Sequence, residues 1–170
     1  TGWQKIYNST KRVYEMFYFG TDGQKYTGWQ EISGKIYYLN EDGVMQTGQV
    51  NVDESSYYFN GSGVMQTGWF RFYDSVSRTY YWNYYGQDGK QIVPEEITDV
   101  APKGEQNRYY KWYTVEESDA ESGEKVTNRY CIYNNSSVVK NFANNGSWRY
   151  YFDPQTGRQE TGEKTDGLFT

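Results

Sequence analysis

The sequence contains no histidine, so it lacks the commonest general base and the commonest metal ligand of proteins. Its single cysteine, Cys131, excludes an internal disulfide and, without any histidine, gives no sign of a catalytic thiol. No apolar run reaches the ~18 residues that a membrane-spanning helix needs. The net charge of −5 offers no basic surface to nucleic acid. We therefore predict no catalytic residue, metal, cofactor, nucleic-acid partner or membrane insertion.

Aliphatic residues are too few for an ordinary core, because hydrophobic residues make up only 36% of the chain. Aromatic residues account for 20%, and 20 of the 170 residues are tyrosine. Rings must therefore do the packing, and tyrosine can bury its ring while its hydroxyl stays in water. With 18 glycines and three prolines, the composition is typical of many short strands and turns.

From Phe17 to Trp69 the sequence repeats with a period of twenty residues. A fixed period of this length is the signature of a repeat protein. Rings recur in adjacent columns, glycines follow them, and a Thr-Gly pair closes each unit. The columns are Phe17, Tyr37 and Tyr57; Tyr18, Tyr38 and Tyr58; Phe19, Leu39 and Phe59; Gly23, Gly43 and Gly63; and the pairs at 27–28, 47–48 and 67–68.

Each unit has the pattern of one β-hairpin followed by a linking strand. We predict an all-β solenoid of stacked hairpin repeats of about twenty residues, with a less regular β segment at 94–144. The predicted domains are aromatic hairpin repeats at 1–93, an irregular linker and β-meander insertion at 94–144, and a C-terminal repeat and tail at 145–170. Because the chain opens inside a repeat-like phrase, Thr-Gly-Trp, we expect it to be a fragment of a longer secreted protein.

Strand alternation divides the columns between two faces. Tyr37 and Leu39 share a face that is apolar in every unit, and we predict that it forms the interior of the stack. Tyr38 lies on the opposite face, where a groove between neighbouring hairpins can form. The predicted ligand-binding residues are the rings of that face: Trp3, Trp29, Trp69, Tyr18, Tyr38, Tyr58, Trp148 and Tyr151. Packing between hairpins would explain the same rings, and the residues alone do not decide between the two roles.

The phrase TGWQEISGKIYYLNEDGVMQTG at 27–48 resembles the cell wall-binding repeats of Gram-positive surface proteins. That family includes choline-binding modules, the glucan-binding repeats of glucosyltransferases and the receptor-binding repeats of large clostridial toxins. The phrase recurs more loosely at 1–28, 47–68, 67–93 and 145–162. The resemblance implies a non-catalytic module that holds a secreted protein at the bacterial cell surface.

The choline-binding form of the repeat implies a cage of three rings around a quaternary ammonium group. Carried over to this sequence, Trp29 matches the first ring and Tyr58 the third, but Ile36 stands where the middle tryptophan is expected. The equivalent residues of the first and third units are Met16 and Ser56. The sequence is therefore closer to the glucan-binding and toxin forms, which lack that tryptophan.

The expected function is thus the binding of cell-wall polysaccharide or glucan. Choline on teichoic acid is one alternative, and a structural spacer or protein-interaction repeat without a small ligand is another. Composition alone permits a catalytic carboxylate pair, but none stands out, so we expect no enzyme. The oligomeric state is left open.

Overall fold

The structure, a computed structural model, describes residues 1–97, 110–119, 122–133, 136–145 and 148–160, without the side chains of 97, 110, 142–145, 148 and 149. Within these ranges every regular element is a β-strand in an antiparallel sheet of two to four strands. None of these segments is a helix with the length and apolarity needed to cross a membrane. The prediction of an all-β fold built from hairpin repeats is confirmed.

Hairpins numbered 1 to 6 in chain order carry the fold of the described ranges. Hairpin 1 is β1 (Gly2–Asn8) with β2 (Val13–Phe19), hairpin 2 is β3 (Gly28–Ile32) with β4 (Lys35–Leu39), and hairpin 3 is β5 (Gly48–Val52) with β6 (Ser55–Phe59). Hairpin 4 is β7 (Gly68–Asp74) with β8 (Thr79–Tyr85), hairpin 5 is β11 (Tyr110–Ser118) with β12 (Lys125–Tyr133), and hairpin 6 is β14 (Asn141–Asn145) with β15 (Trp148–Phe152). The short strands are β9 (Gln91–Ile92), β10 (Glu95–Ile97), β13 (Ser137–Val138) and β16 (Gln159–Glu160).

Local sequence sets the hairpin turns. Ser33 and Gly34 join β3 to β4 with φ values of 54° and 70°. Two positive φ angles are what a type I′ turn requires, and its twist matches that of the strands it joins.

The segments between hairpins bond to two hairpins at once. The backbone N–H of Met45 donates to the carbonyl of Met16 in hairpin 1 at 2.8 Å, and Gln46 N–H donates to Tyr38 O in hairpin 2 at 2.8 Å. Met65 repeats the pattern one unit later, because its N–H donates to Ile36 O at 2.8 Å. These bonds connect hairpins 1, 2 and 3 through their backbones.

The chain divides into two compact units, one of residues 1–67 and 87–91 and one of residues 68–86 and 92–170. In the first unit Leu39 and Phe59 are fully buried, and Tyr37 and Tyr57 are each 8% exposed. The predicted interior face is therefore confirmed for hairpins 2 and 3. The predicted domain boundaries at 93 and 144 stay predictions.

Hairpin 5, in the second unit, stacks in the same way as the recognised repeats. The Trp112 ring lies 5.0 Å from that of Tyr150 and 5.5 Å from that of Phe152 in hairpin 6, between centroids. Trp29 makes the equivalent contacts with Tyr57 and Phe59 of hairpin 3. The segment at 94–144, predicted as an irregular linker and β-meander insertion, thus includes a hairpin with nine-residue strands.

Candidate functional site

The first candidate site is the Trp29 cluster, formed by Trp29, Tyr38, Tyr57 and Phe59. Strand pairing sets Trp29 opposite Tyr38, so the two rings share a face, with centroids 5.1 Å apart. Hairpin 3 adds Tyr57 at 4.6 Å and Phe59 at 5.8 Å from Trp29. Trp29 remains 39% exposed. The cluster is both a packing contact between hairpins and an accessible aromatic surface.

Hairpin 1 builds the same arrangement with Trp3. Its ring lies 5.1 Å from that of Tyr18 on the paired strand and 4.8 Å from that of Tyr37 in hairpin 2. The residues that come from the next hairpin, Tyr37 and Tyr57, belong to the column predicted to be interior only. That column therefore also supplies rings to the candidate sites, because each hairpin packs its interior face on the tryptophan face of its neighbour.

Three further residues were predicted to bind ligand. They are Tyr58, Tyr151 and Trp148. Tyr58 was expected as the third ring beside Trp29, but its strand carries Tyr57 toward Trp29, and Tyr58 pairs with Gln49, where hairpin 3 has no tryptophan. Tyr151 is half-buried and pairs with Phe142 and Glu160 in neighbouring strands. Trp148 begins β15, and its side chain lies outside the described residues.

A group of four rings surrounds Trp69, in the second unit. We name it the Trp69 cluster, and its members are Trp69, Trp82, Tyr84, Tyr113 and Tyr130. From the Trp69 centroid, Tyr84 lies at 5.2 Å, Tyr130 at 5.4 Å, Tyr113 at 5.5 Å and Trp82 at 6.4 Å. The planes of the two tryptophans are inclined by 74°.

Trp82 is the functional candidate that the sequence analysis missed. The register sets Trp69 opposite Tyr84, as Trp29 is opposite Tyr38. Trp82 precedes Tyr84 by two positions, so it occupies the place that Ile36 takes in hairpin 2. Aligning the fourth unit on Tyr84 would have found it. The longer strands and turn of hairpin 4 hid that alignment, because they move the tyrosine away from its usual spacing.

A carboxylate lies behind the tyrosines of this cluster. Tyr84 Oη donates to Glu117 Oε1 at 2.8 Å, Tyr130 Oη donates to Oε2 at 3.3 Å, and the two hydroxyls are 3.0 Å apart. Asn128 Nδ2 also donates to Oε2, at 2.8 Å. Burial raises the pKa of Tyr84 and raises the pKa of Tyr130 to about 12. Both hydroxyls therefore keep their protons and donate hydrogen bonds at physiological pH.

Comparison with protein families gives two overlapping matches. A choline-binding repeat matches residues 26–56, and a cell wall binding repeat matches residues 49–65. These residues contain hairpins 2 and 3. The comparison with curated proteins found no match.

Several solved structures are similar to the chain. Choline-binding protein F from Streptococcus pneumoniae is 22% identical over 98% of this chain and 44% of its own, with a TM-score of 0.46. The choline-binding domain of Spr1274 from the same organism is 35% identical over 40% of this chain and 85% of its own, at 0.33. The pneumococcal cell wall endolysin from phage Cp-1, complexed with choline, is 20% identical over 99% of this chain and 41% of its own, at 0.44. The chain spans less than half the length of choline-binding protein F.

Proposed function

We propose, from the membership of residues 26–65 in the family of choline-binding and cell wall binding repeats, that this chain is a non-catalytic module that attaches a secreted protein to a bacterial cell wall. Its ligand is the quaternary ammonium group of choline carried by a wall polymer. This choice favours the choline alternative of the sequence analysis over glucan. The Gram-positive surface expected from the sequence is the corresponding location.

The observation that carries the proposal is the contact between the rings of Trp69 and Trp82. A quaternary ammonium group has no N–H to donate, and its charge is spread over methyl groups. Aromatic faces within about 6 Å recognise such a group, and tryptophan is the strongest of them. Two tryptophans inclined by 74°, with Tyr113 in contact with Trp69, offer faces from several directions to one cation.

Charge around the Trp69 cluster also suits a cation. The Glu117 carboxylate accepts from Tyr84 and Tyr130, so a negative charge lies behind the rings without needing to touch the ligand. Two cations oppose this effect, since Arg158 acts electrostatically on the Tyr130 hydroxyl and Arg71 pairs with Trp82 across the strands. The Arg71 guanidinium carbon lies 3.7 Å above the centroid of Tyr80, nearer the hairpin turn.

Hairpins 1 to 3 offer less to a cation. Met16, Ile36 and Ser56 stand at the position of Trp82, so each of these hairpins has one ring fewer there. We therefore assign the tightest of the described sites to the Trp69 cluster. A cage that loses one ring loses about 0.5–2 kcal/mol.

Choline titration tests the proposal, with binding followed by calorimetry and by tryptophan fluorescence. We expect binding that the neutral isostere 3,3-dimethyl-1-butanol does not reproduce, because a cation–π site needs the charge. Trp82→Ile, which copies the native residue of hairpin 2, should weaken choline binding about tenfold, the equivalent of ~1.4 kcal/mol. Trp29→Ala is the matched control and should leave the tightest site intact.

The alternatives predict different results. If glucan or choline-free wall polysaccharide binds and choline does not compete, the module recognises polysaccharide and the choline proposal is wrong. If the folded protein binds neither choline nor any wall polymer, the rings serve packing alone and the chain is a spacer.

A further inference from the structure

Among hairpins 1 to 4, two are longer than the repeat requires. The strands of hairpins 1 and 4 have seven residues, whereas those of hairpins 2 and 3 have five. The added length carries a cross-strand tyrosine pair in each case, Tyr7 with Tyr14 and Tyr73 with Tyr80. The four rings are 52%, 63%, 54% and 49% exposed, in that order.

A cation lies on one ring of each pair. Lys5 Nζ is 4.8 Å from the centroid of Tyr14, and the Arg71 guanidinium carbon is 3.7 Å from that of Tyr80. The paired rings have nearly the same geometry, with centroids 5.1 Å apart at 58° in hairpin 1 and 5.0 Å apart at 54° in hairpin 4. We call these groups the hairpin tips: Lys5, Tyr7 and Tyr14 form tip 1, and Arg71, Tyr73 and Tyr80 form tip 4.

Hairpin stability does not explain the tips. Hairpins 2 and 3 close with shorter strands and without such a pair, so the fold does not depend on it. Lys11, Lys90 and Lys111 each pair with a carboxylate. Among the described residues neither Lys5 nor Arg71 has a carboxylate partner. An anion can therefore approach either cation from the solvent. Exposed rings that recur with a cation in two separate hairpins indicate a binding surface.

We propose that each hairpin tip binds an acidic sugar residue of a surface polysaccharide. The tilted tyrosine rings contact the C–H face of the pyranose, and Lys5 or Arg71 pairs with its carboxylate. The cation of each tip distinguishes an acidic from a neutral sugar through a local ion pair. The net charge of −5 adds no long-range attraction for a polyanion. Tip 1 belongs to hairpin 1, whereas tip 4 shares hairpin 4 with Trp69 and Trp82. This inference does not depend on choline binding.

The test compares two oligosaccharides of equal length. One alternates glucuronic acid with N-acetylglucosamine, and the other is the neutral oligomer of N-acetylglucosamine. Calorimetry measures affinity, and NMR of the tyrosine rings locates the contact. The acidic oligosaccharide should bind up to about fivefold more tightly at each tip, which is the upper end of what an exposed ion pair contributes.

Four variants make the test specific. The double variant Lys5→Gln with Arg71→Gln should remove the preference for the acidic sugar, and the double variant Tyr14→Ala with Tyr80→Ala should remove binding of both sugars. Lys11→Gln is the charge-matched control, since Lys11 already pairs with Glu15 in the same hairpin at 2.9 Å. Trp82→Ile should leave sugar binding at tip 1 unchanged, because tip 1 belongs to hairpin 1, and this separates the result from the choline test.

Three results would overturn the proposal. They are equal affinity for the acidic and neutral sugars, equal losses from Lys11→Gln and from the double variant Lys5→Gln with Arg71→Gln, and NMR shifts that do not include the tip tyrosines. Far-ultraviolet circular dichroism and thermal unfolding of each variant establish that a lost affinity is not a lost fold.

Discussion

Gly63 illustrates how a single residue links one repeat to the next. Its φ angle is +78°, which side chains disfavour, and a Cβ there would overlap the sulfur of Met45 from the preceding unit. Gly48 has almost the same φ angle, +77°, but a Cβ there would have no neighbour within 4 Å. The two positions separate the backbone cost of a side chain from its packing cost.

Gly48→Ala should lower the free energy of unfolding by about 1–2 kcal/mol, the cost of a left-handed backbone. Gly63→Ala should lower it by a further ~1–3 kcal/mol, because Met45 must move out of a packed site. Urea unfolding of the two variants, followed by circular dichroism, measures the difference. Equal losses would show that Met45 yields without cost.

Cys131 and Trp82 show how far single residues can be read from the sequence. Cys131 has no exposed surface, and burial raises the pKa of its thiol to about 12, so the reactive thiolate is disfavoured. Cys131 packs in a buried cluster with Trp112 and Phe152. The role of Trp82 could not be read from the sequence in the same way. It depends on which residue lies opposite Trp69, and the strand register decides that.

At the scale of elements, hydrogen bonds to Glu117 tie hairpin 4 to hairpin 5. Tyr84 of β8 and Tyr130 of β12 both donate to this carboxylate. Each hydroxyl must keep its proton to donate. Burial raises the pKa of both tyrosines above the ordinary value near 10, so the folded state holds these protons more tightly than the unfolded chain does.

The free energy of unfolding should therefore decrease as the pH becomes alkaline. The stabilisation is fully present below about pH 10, where the unfolded chain keeps its tyrosines protonated. It is lost as the pH rises toward 12, through the pKa of folded Tyr130. Urea unfolding between pH 8 and about pH 11.5 measures this decline.

Tyr130→Phe is the variant that isolates the alkaline effect, because phenylalanine has no proton to lose. Its free energy of unfolding should fall less steeply with pH, although its stability at neutral pH is lower. An unchanged slope would mean that other groups cause the alkaline loss. Tyr7→Phe, at an exposed ring, is the control.

Hairpin 5 marks the limit of repeat recognition from this sequence, because it lies within the predicted β segment but outside the recognised repeats. Trp112 makes the contacts of a repeat tryptophan, yet Lys111 precedes it in place of glycine, and Cys131 stands opposite it in place of tyrosine. The twenty-residue period is also lost, since both strands have nine residues. What remains of the repeat is a packing relation, and that relation has no local sequence signature.

At the scale of the whole molecule, aromatic clusters occur in both compact units. Each is expected to bind weakly, and a polymer with many substituents gains affinity by engaging several of them. The net charge of −5 adds an attraction for cationic groups that acts over the whole surface.

Choline affinity should therefore fall as salt is added. Raising ionic strength from 0.01 M to 1 M shortens the Debye length from about 30 Å to about 3 Å and screens the attraction of distant carboxylates. The decrease should be modest, because contact with the rings of Trp69 and Trp82 is short-ranged. Calorimetric titrations at three salt concentrations measure it. Binding that tightens with salt would contradict an electrostatic contribution of this sign.

The sequence by itself determined the repeat, the hairpins of the first unit and the buried column of Tyr37 and Leu39. These follow from local rules, since strands alternate faces and certain turns need glycine. Only the tertiary structure decided which rings meet. Trp69 contacts Tyr130, 61 positions later in the chain. Such pairs depend on strand register and on which faces of neighbouring hairpins pack together, and both are fixed by contacts distant in sequence rather than by the repeat period.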